Sequence, residues 1–214
     1  LDENRKPTVV VEADIGDSLF EHSLLGQAVG SRIGAGVPYY KGIKPGLEEA
    51  KTMAAAMAAS GAVAMWHVEG VTPEAAGCDL SGLEVIHIGP GEIREAKETL
   101  NTAEEAELIA IGCPHLSARE MAEIARLLEG KKKKKDVDVW FCTSEAVRAE
   151  CPKEVEVMER FGPVLADTCM VVAPIEGTFS RTATNSCKAG NYLPTLCSQK
   201  VVCGDISDLL RAIQ

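Results

Sequence analysis

Two short segments place a metal-ligating or nucleophilic side chain where it could be used. In the first, the apolar run Leu108–Ile111 leads into Gly112, Cys113, Pro114, His115, Leu116 and Ser117. Ser117 and Glu120 have the spacing of a capping box, so a helix is expected to start there. A thiol and an imidazole then stand at a strand end, beside free N–H groups and a dipole that favour a thiolate or an anionic ligand. In the second, Ala166, Asp167, Thr168, Cys169 and Met170 set two polar residues and a cysteine inside an apolar run, a break in pattern that usually has a reason. For either cysteine alone, the competing reading is a small buried hydrophobe.

Three further stretches carry polar chemistry. Arg181 to Tyr192 is dense in polar groups, and Asn185, Ser186 and Lys188 can offer an amide, a hydroxyl and a cation to a carboxylate or phosphate. An exposed loop rich in turn formers fits the same composition. Around Trp66, the residues His67, Glu69, Thr72 and Glu74 bring an imidazole and two carboxylates into a short window suited to acid/base work. The same window reads equally as a helix start, with Thr72 as N-cap and Pro73 at the first helical position. His87 to Ile93 contains a glycine turn feeding a helix, but it lacks a third glycine and a P-loop lysine, so it reads as a tight βα connection rather than a nucleotide site.

The elements that must position these groups alternate in a βαβα rhythm, which implies parallel sheets covered by helices. Strands are expected at Thr8–Glu12, Val37–Tyr40, Ala62–Val68, Glu84–Ile88, Leu108–Ile111, Val137–Cys142, Leu165–Val172 and Lys200–Cys203. Helices are expected at Ser23–Ile33, Leu47–Ala59, Gly91–Asn101, Ala118–Glu129, part of Ser144–Arg160, and Ile206–Gln214. A Gly/Pro/Asp-containing segment between Val68 and Glu84 suggests a division near residue 80. This gives a smaller, incomplete α/β lobe at 1–80 and a doubly wound, Rossmann- or flavodoxin-like lobe at 81–214. Ligands in such sheets bind beyond the carboxyl ends of the strands, where both cysteine segments fall.

Composition narrows the classes. The 214 residues are 46% hydrophobic and 25% charged, as in an ordinary globular protein that can bury a core without disulfides. A formal charge of -10 disfavours nucleic acid and anionic membranes as partners. The longest weakly polar run, Met53 to Met65, is too short and too polar to span a bilayer. The run Lys131 to Lys135 follows a helix and reads as a solvated turn favoured by the helix dipole. The eight cysteines include no Cys-x-x-Cys pair and follow no export signal, which points to reduced thiols in a cytoplasm. Any metal site must therefore gather ligands from distant segments. The first residues, which lack an initiator Met, suggest a piece of a longer chain.

Taken in order, Leu1-Asp-Glu-Asn-Arg5, Trp66 to Ala75, Gly112-Cys-Pro-His115, Asp167-Thr-Cys169 and Thr184-Asn-Ser-Cys-Lys188 resemble the catalytic large subunit of the aconitase X family. The resemblance spans nearly the whole chain but only about the carboxyl-terminal half of that subunit. It implies an iron-sulfur hydro-lyase whose cluster, of the [4Fe-4S] type, leaves one iron open to grip a departing hydroxyl. Cys113 and Cys169 match two ligand positions, and the third cysteine would lie in the missing amino-terminal half. Cys187 departs from the expected small residue. The resemblance further implies a small swivelling-domain subunit supplying a serine base, and a small anionic substrate. For archaeal-type members the substrate is mevalonate 5-phosphate; for the bacterial type it is cis-3-hydroxy-L-proline. On this reading His67, Glu69 and His115 serve catalysis, while Arg5, Thr72, Glu74, Asn185, Ser186 and Lys188 bind substrate. A different class of reading makes the chain a non-catalytic structural half; a broad apolar surface left open near Leu1 and the first lobe marks half an enzyme, and a compact monomer without apolar patches marks a fragment that fills its own interface.

Overall fold

The computed structural model describes residues 2–133 and 137–214. Leu1 and the lysines 134 and 135 of the basic run lie outside the described residues. In chain order the elements are β1 (Val9–Ala13), α1 (Leu19–Ile33), β2 (Pro38–Lys41), α2 (Leu47–Gly61), β3 (His67–Val68), β4 (Glu84–Ile88), α3 (Pro90–Leu100), β5 (Leu108–Leu116) and α4 (Ala118–Leu128). There follow β6 (Asp138–Thr143), α5 (Glu145–Glu150), α6 (Pro152–Met158), β7 (Val164–Ala166), β8 (Arg181–Thr184), α7 (Cys187–Leu196), β9 (Lys200–Cys203) and α8 (Ile206–Arg211). The α/β class with helix-covered parallel sheets is as the sequence implies.

Two compact units divide the chain, Leu1–Thr99 and Leu100–Gln214. The division therefore falls after α3 rather than near residue 80. The reason is β4, which the Gly/Pro/Asp-containing segment before it assigns to the second lobe but which pairs in parallel with β1 along Val9↔Glu84 to Ala13↔Ile88.

In the first unit the strand order is β3-β2-β1-β4, all parallel. β1 is central, and Val9, Val10 and Val11 are all buried, as expected for a strand covered on both faces. Helices α1 and α2 pack closely, and Gly26 permits the approach because a Cβ there would overlap the Met53 carbonyl. The strand expected over Ala62–Val68 is reduced to His67–Val68. Ala62, with φ of 57°, ends α2 in the left-handed region and turns the following residues away from a ladder.

The second unit has the strand order β7-β6-β5-β8-β9, again all parallel. The chain moves from β5 outward through β6 to β7, then returns to β8 on the opposite side of β5. The sheet thus reverses direction between β5 and β8, the crevice where doubly wound folds bind ligands. Ile109, Ile111, Val139, Phe141 and Ala183 form a core with Met121, Ile124, Leu128, Met158 and Leu210 from α4, α6 and α8. Helix α7 packs against β5, β8 and β9, burying Ala189 and Leu193.

Three elements differ here from the sequence expectation. The polar stretch at 181–184 is a buried inner strand, since the Thr182 hydroxyl donates to Gln199 Oε1 at 2.9 Å. Gln199 in turn donates to the carbonyls of Phe179 (2.7 Å) and Cys197 (2.9 Å), so the buried Thr182 and Gln199 side chains are both paired. Helix α7 continues through Pro194, a residue that argues against a helix by its type. The strand expected at Leu165–Val172 stops at Ala166, because Asp167 turns the chain with φ of 53°.

Candidate functional site

The second unit brings Cys113, Cys169, Ser186 and Lys188 into one neighbourhood at the carboxyl edge of its sheet. Cys113 sits in an irregular part of β5, where the register against β6 shifts between Ile111 and Leu116. Gly112 makes that irregularity: its φ is 109°, and a Cβ would overlap the Cys142 carbonyl oxygen. The strand can therefore lift the following cysteine out of the ladder only with glycine at this position.

Cys169 arrives from two strands away. Asp167 donates its backbone N–H to the Thr143 carbonyl (2.9 Å), and its carboxylate accepts from the Glu145 N–H (3.2 Å). Met170 donates its backbone N–H to Cys142 at the end of β6. The loop after β7 is thus folded across the end of β6 toward β5.

There the Cys113 thiol meets the Cys169 sulfur. Cys113 donates the hydrogen bond, so the proton stays on Cys113 and negative charge collects on Cys169. This bond, together with burial, pushes the Cys113 thiol far above its ordinary range, although Lys188 and a bond from Ser186 oppose the shift. The same bond is the largest factor lowering Cys169 to about 5; backbone N–H groups of Val171 and Val172 and the charge of Lys188 add to it. Cys169 is a thiolate at neutral pH, the form that ligates metals. Burial raises Cys142 to about 12, with the Cys169 charge second, so that neighbour stays a thiol.

Ser186 is buried, caps α7 by accepting from the Ala189 N–H (3.1 Å), and bonds to Cys113. Asn185 precedes it, and its Oδ1 is buried with no hydrogen-bond partner among the described residues. His115 lies with its Nε2 2.9 Å from the Thr168 carbonyl oxygen. The capping box of Ser117 and Glu120 forms as the spacing implies. Cys187, the departure from the family pattern, is a buried first residue of α7. Among the described residues no group of three or more Cys, His, Asp or Glu side chains is gathered to hold a metal ion.

In the first unit, Arg5 and Glu74 engage each other rather than standing as single charges, with Nη2–Oε2 2.8 Å and Nε–Oε2 2.9 Å. His67 is fully buried, and its Nε2 lies 2.7 Å from the Arg5 carbonyl oxygen. A carbonyl only accepts, so Nε2 carries the proton, and Nδ1 is a buried acceptor without a partner among the described residues. Thr72 turns its hydroxyl back on the Val68 N–H (2.9 Å), and the expected helix start becomes a short 3-10 turn at Ala75–Gly77. Glu69 is exposed. Gly89 alone joins β4 to α3, the simple βα connection that the motif suggests, closed by Glu92 accepting from the Gly89 N–H (3.0 Å). The contributions of Gly112, the Asp167 turn and the Val171 and Val172 N–H groups are backbone effects, and only the polar break at 167–169 signals them in sequence.

The fold and this site define an α/β protein of two parallel-sheet units with a paired cysteine thiol and thiolate at the switch point of the second. Residues 7–98 match the aconitase X second domain and residues 106–214 the aconitase X third domain. The chain belongs to the aconitase X family. It is 42% identical, over 99% of its length, to the phosphomevalonate dehydratase large subunit of Methanocaldococcus jannaschii, of which it covers 56%. It is 34% identical over 97% of its length to the cis-3-hydroxy-L-proline dehydratase of Hypocrea jecorina, of which it covers 38%. Among solved structures, the holo-form of Thermococcus kodakaraensis aconitase X superposes with a TM-score of 0.91 at 36% identity, covering 100% of this chain and 57% of that one. The chain thus spans little more than half the length of the archaeal relatives. No helix among the described residues is long and apolar enough to cross a membrane.

Proposed function

We propose that this chain forms the second and third domains of the large subunit of an iron-sulfur hydro-lyase that dehydrates mevalonate 5-phosphate to its anhydro product. The observation that carries the reading is the 42% identity to an archaeal phosphomevalonate dehydratase large subunit across almost the whole chain, against 34% for the hydroxyproline dehydratase.

The donor set suits an iron-sulfur cluster: two facing sulfurs, one held as thiolate, make two ligands of the three that the family implies. The third belongs to polypeptide outside these residues, in the amino-terminal half that the relatives' length implies, and the serine base to a small swivelling-domain subunit. When bound, a cluster with one open iron site supplies a Lewis acid for the departing hydroxyl. Cys113 and Cys169 would hold it in place. Lys188 offsets thiolate charge and offers a cation to an anionic substrate. Asn185 brings a buried amide whose oxygen lacks a donor, matching a substrate hydroxyl. Ser186 is committed to Cys113 and the α7 cap, which makes it a support for the site. His67, with its lone acceptor nitrogen, is the first unit's candidate for acid/base chemistry, while Arg5, Glu69, Thr72 and Glu74 shape the surroundings of that residue. The chain by itself is expected to be inactive, and the compartment is the cytoplasm.

The test supplies the missing length and the small subunit, reconstitutes iron and sulfide without oxygen, and offers both substrates. Water loss from mevalonate 5-phosphate with little from cis-3-hydroxy-L-proline is expected. The reverse preference would move the protein to the hydroxyproline branch, and no dehydration of either would overturn the reading.

A further inference from the structure

We infer that His115 is a positioning residue, a strap that sets the spacing of the Cys113 and Cys169 sulfurs. In the sheet, β6 stands between β5, which bears Cys113, and β7, whose loop bears Cys169, so no ladder bond joins the two cysteine segments. Their backbones are linked through β6. The Thr143 hydroxyl donates to the Leu116 carbonyl (2.7 Å), and the Thr143 carbonyl accepts from Asp167 (2.9 Å). Those anchors lie three residues beyond Cys113 and two residues before Cys169.

His115 shortens that path. It lies two residues after Cys113, and its Nε2 is 2.9 Å from the carbonyl of Thr168, the residue immediately before Cys169. The carbonyl can only accept, so Nε2 carries a proton and has no lone pair to act as a base. The left-handed turn at Asp167, with φ of 53°, precedes this carbonyl and closes the loop. The bond crosses directly from one sulfur-bearing segment to the other. That His115 serves a cluster rests on the proposed hydro-lyase reading; that it fixes the sulfur pair does not.

The experiment uses the full-length polypeptide, free of cluster and then reconstituted, in three forms: wild type, His115→Gln and His115→Phe. Gln keeps an N–H donor of similar reach, whereas Phe keeps ring volume without the donor. In the cluster-free protein, diamide oxidises Cys113 and Cys169 to a disulfide; the thiols lose two electrons and two protons, which reduce the azo bond to a hydrazine. Peptide mass spectrometry follows that specific pair, and melting temperature reports folding.

His115→Phe is expected to form the disulfide about fivefold to tenfold more slowly, as loss of one buried-edge hydrogen bond implies. It should also retain less cluster absorbance, while His115→Gln restores both. Wild-type trapping rates in folded His115→Phe overturn the strap, as does a His115→Gln protein that stays folded but behaves like His115→Phe. Slowed trapping in a polypeptide that never takes up a cluster upholds the strap and refutes the hydro-lyase reading. Should His115→Phe fail to fold, nitrogen-15 histidine spectra of the wild type decide: a protonated Nε2 is expected, and a bare Nε2 overturns the inference.

Discussion

Placing a methyl group on Gly112 probes the device that lifts Cys113 out of its strand. At φ of 109° an alanine is strained, which costs roughly 1–3 kcal/mol. The new Cβ would also overlap the Cys142 carbonyl oxygen and lie 2.9 Å from its carbon and 3.0 Å from the Cys142 nitrogen. These are main-chain atoms of an inner strand and cannot rotate aside, so overpacking adds about 1–3 kcal/mol. Together Gly112→Ala should destabilise the second unit by about 2–6 kcal/mol, a large share of the roughly 5–15 kcal/mol of a typical domain. Gly130→Ala is the matched control. Its φ is 68°, but no atom of the described residues lies within 4 Å of the added Cβ, so only the backbone cost of about 1–2 kcal/mol applies. Urea unfolding of both variants, with melting temperature as a second readout, separates the two contributions. At roughly 2–8 °C per kcal/mol, the overpacking of about 1–3 kcal/mol should make Gly112→Ala melt several degrees below Gly130→Ala. Equal losses in the two variants would refute the close approach between β5 and β6 on which the Cys113 geometry rests.

Four further outcomes are expected. Iodoacetamide alkylation of Cys169 in cluster-free protein should persist through neutral pH and fall away as pH drops through about 5, because a lowered pKa keeps the thiolate until that point. In Cys113→Ala the half-point should climb toward the ordinary cysteine value of about 8.5, and a wild-type half-point above 7 would contradict the thiolate pair. Gln199→Leu should cost about 2–4 kcal/mol in chemical unfolding by orphaning the Phe179 and Cys197 carbonyls and the Thr182 hydroxyl, with Thr182→Val partly non-additive to it. Ser117→Ala, which removes one half of a capping box, should cost about 1 kcal/mol by the same measurement. Arg5→Ala should leave the melting temperature nearly unchanged, since its bond to Glu74 is half exposed, and a clear drop would show that the pair is structural.

What the sequence reveals follows from where local rules decide. The strands at 9–13, 84–88 and 108–111 and helix α4 are legible because burial, period and capping agree there. The assignment of 84–88 to the second lobe fails because strand pairing is non-local: nothing in Glu84–Ile88 encodes that β1 is its neighbour. Arg181–Thr184 reads as a loop because its polar side chains find distant partners: Thr182 bonds Gln199, 17 residues away, and Arg181 bonds Glu107, 74 residues away. Residues up to Tyr192 read as a polar stretch or turn-rich loop by composition, and α7 forms there with Pro194 only late in it, after the first turns are established. The cysteine pair is legible as two pattern breaks at strand ends. Its chemistry is not, because the charge on Cys169 depends on the Cys113 thiol and on main-chain N–H groups whose direction is set by the turn at Asp167. The same limit applies in the first unit, where Arg5 and Glu74 are candidate substrate contacts by type and a mutual ion pair by geometry.

The most direct test of the central claim is ligation itself. The chain joined to the length found in its relatives should be reconstituted anaerobically with iron and sulfide, and its absorption and EPR spectra compared with those of Cys113→Ala and Cys169→Ala. A cluster present in the parent and lost in both variants is the predicted result. A cluster that survives both substitutions, or a parent that binds no iron, would contradict the assignment of these two sulfurs.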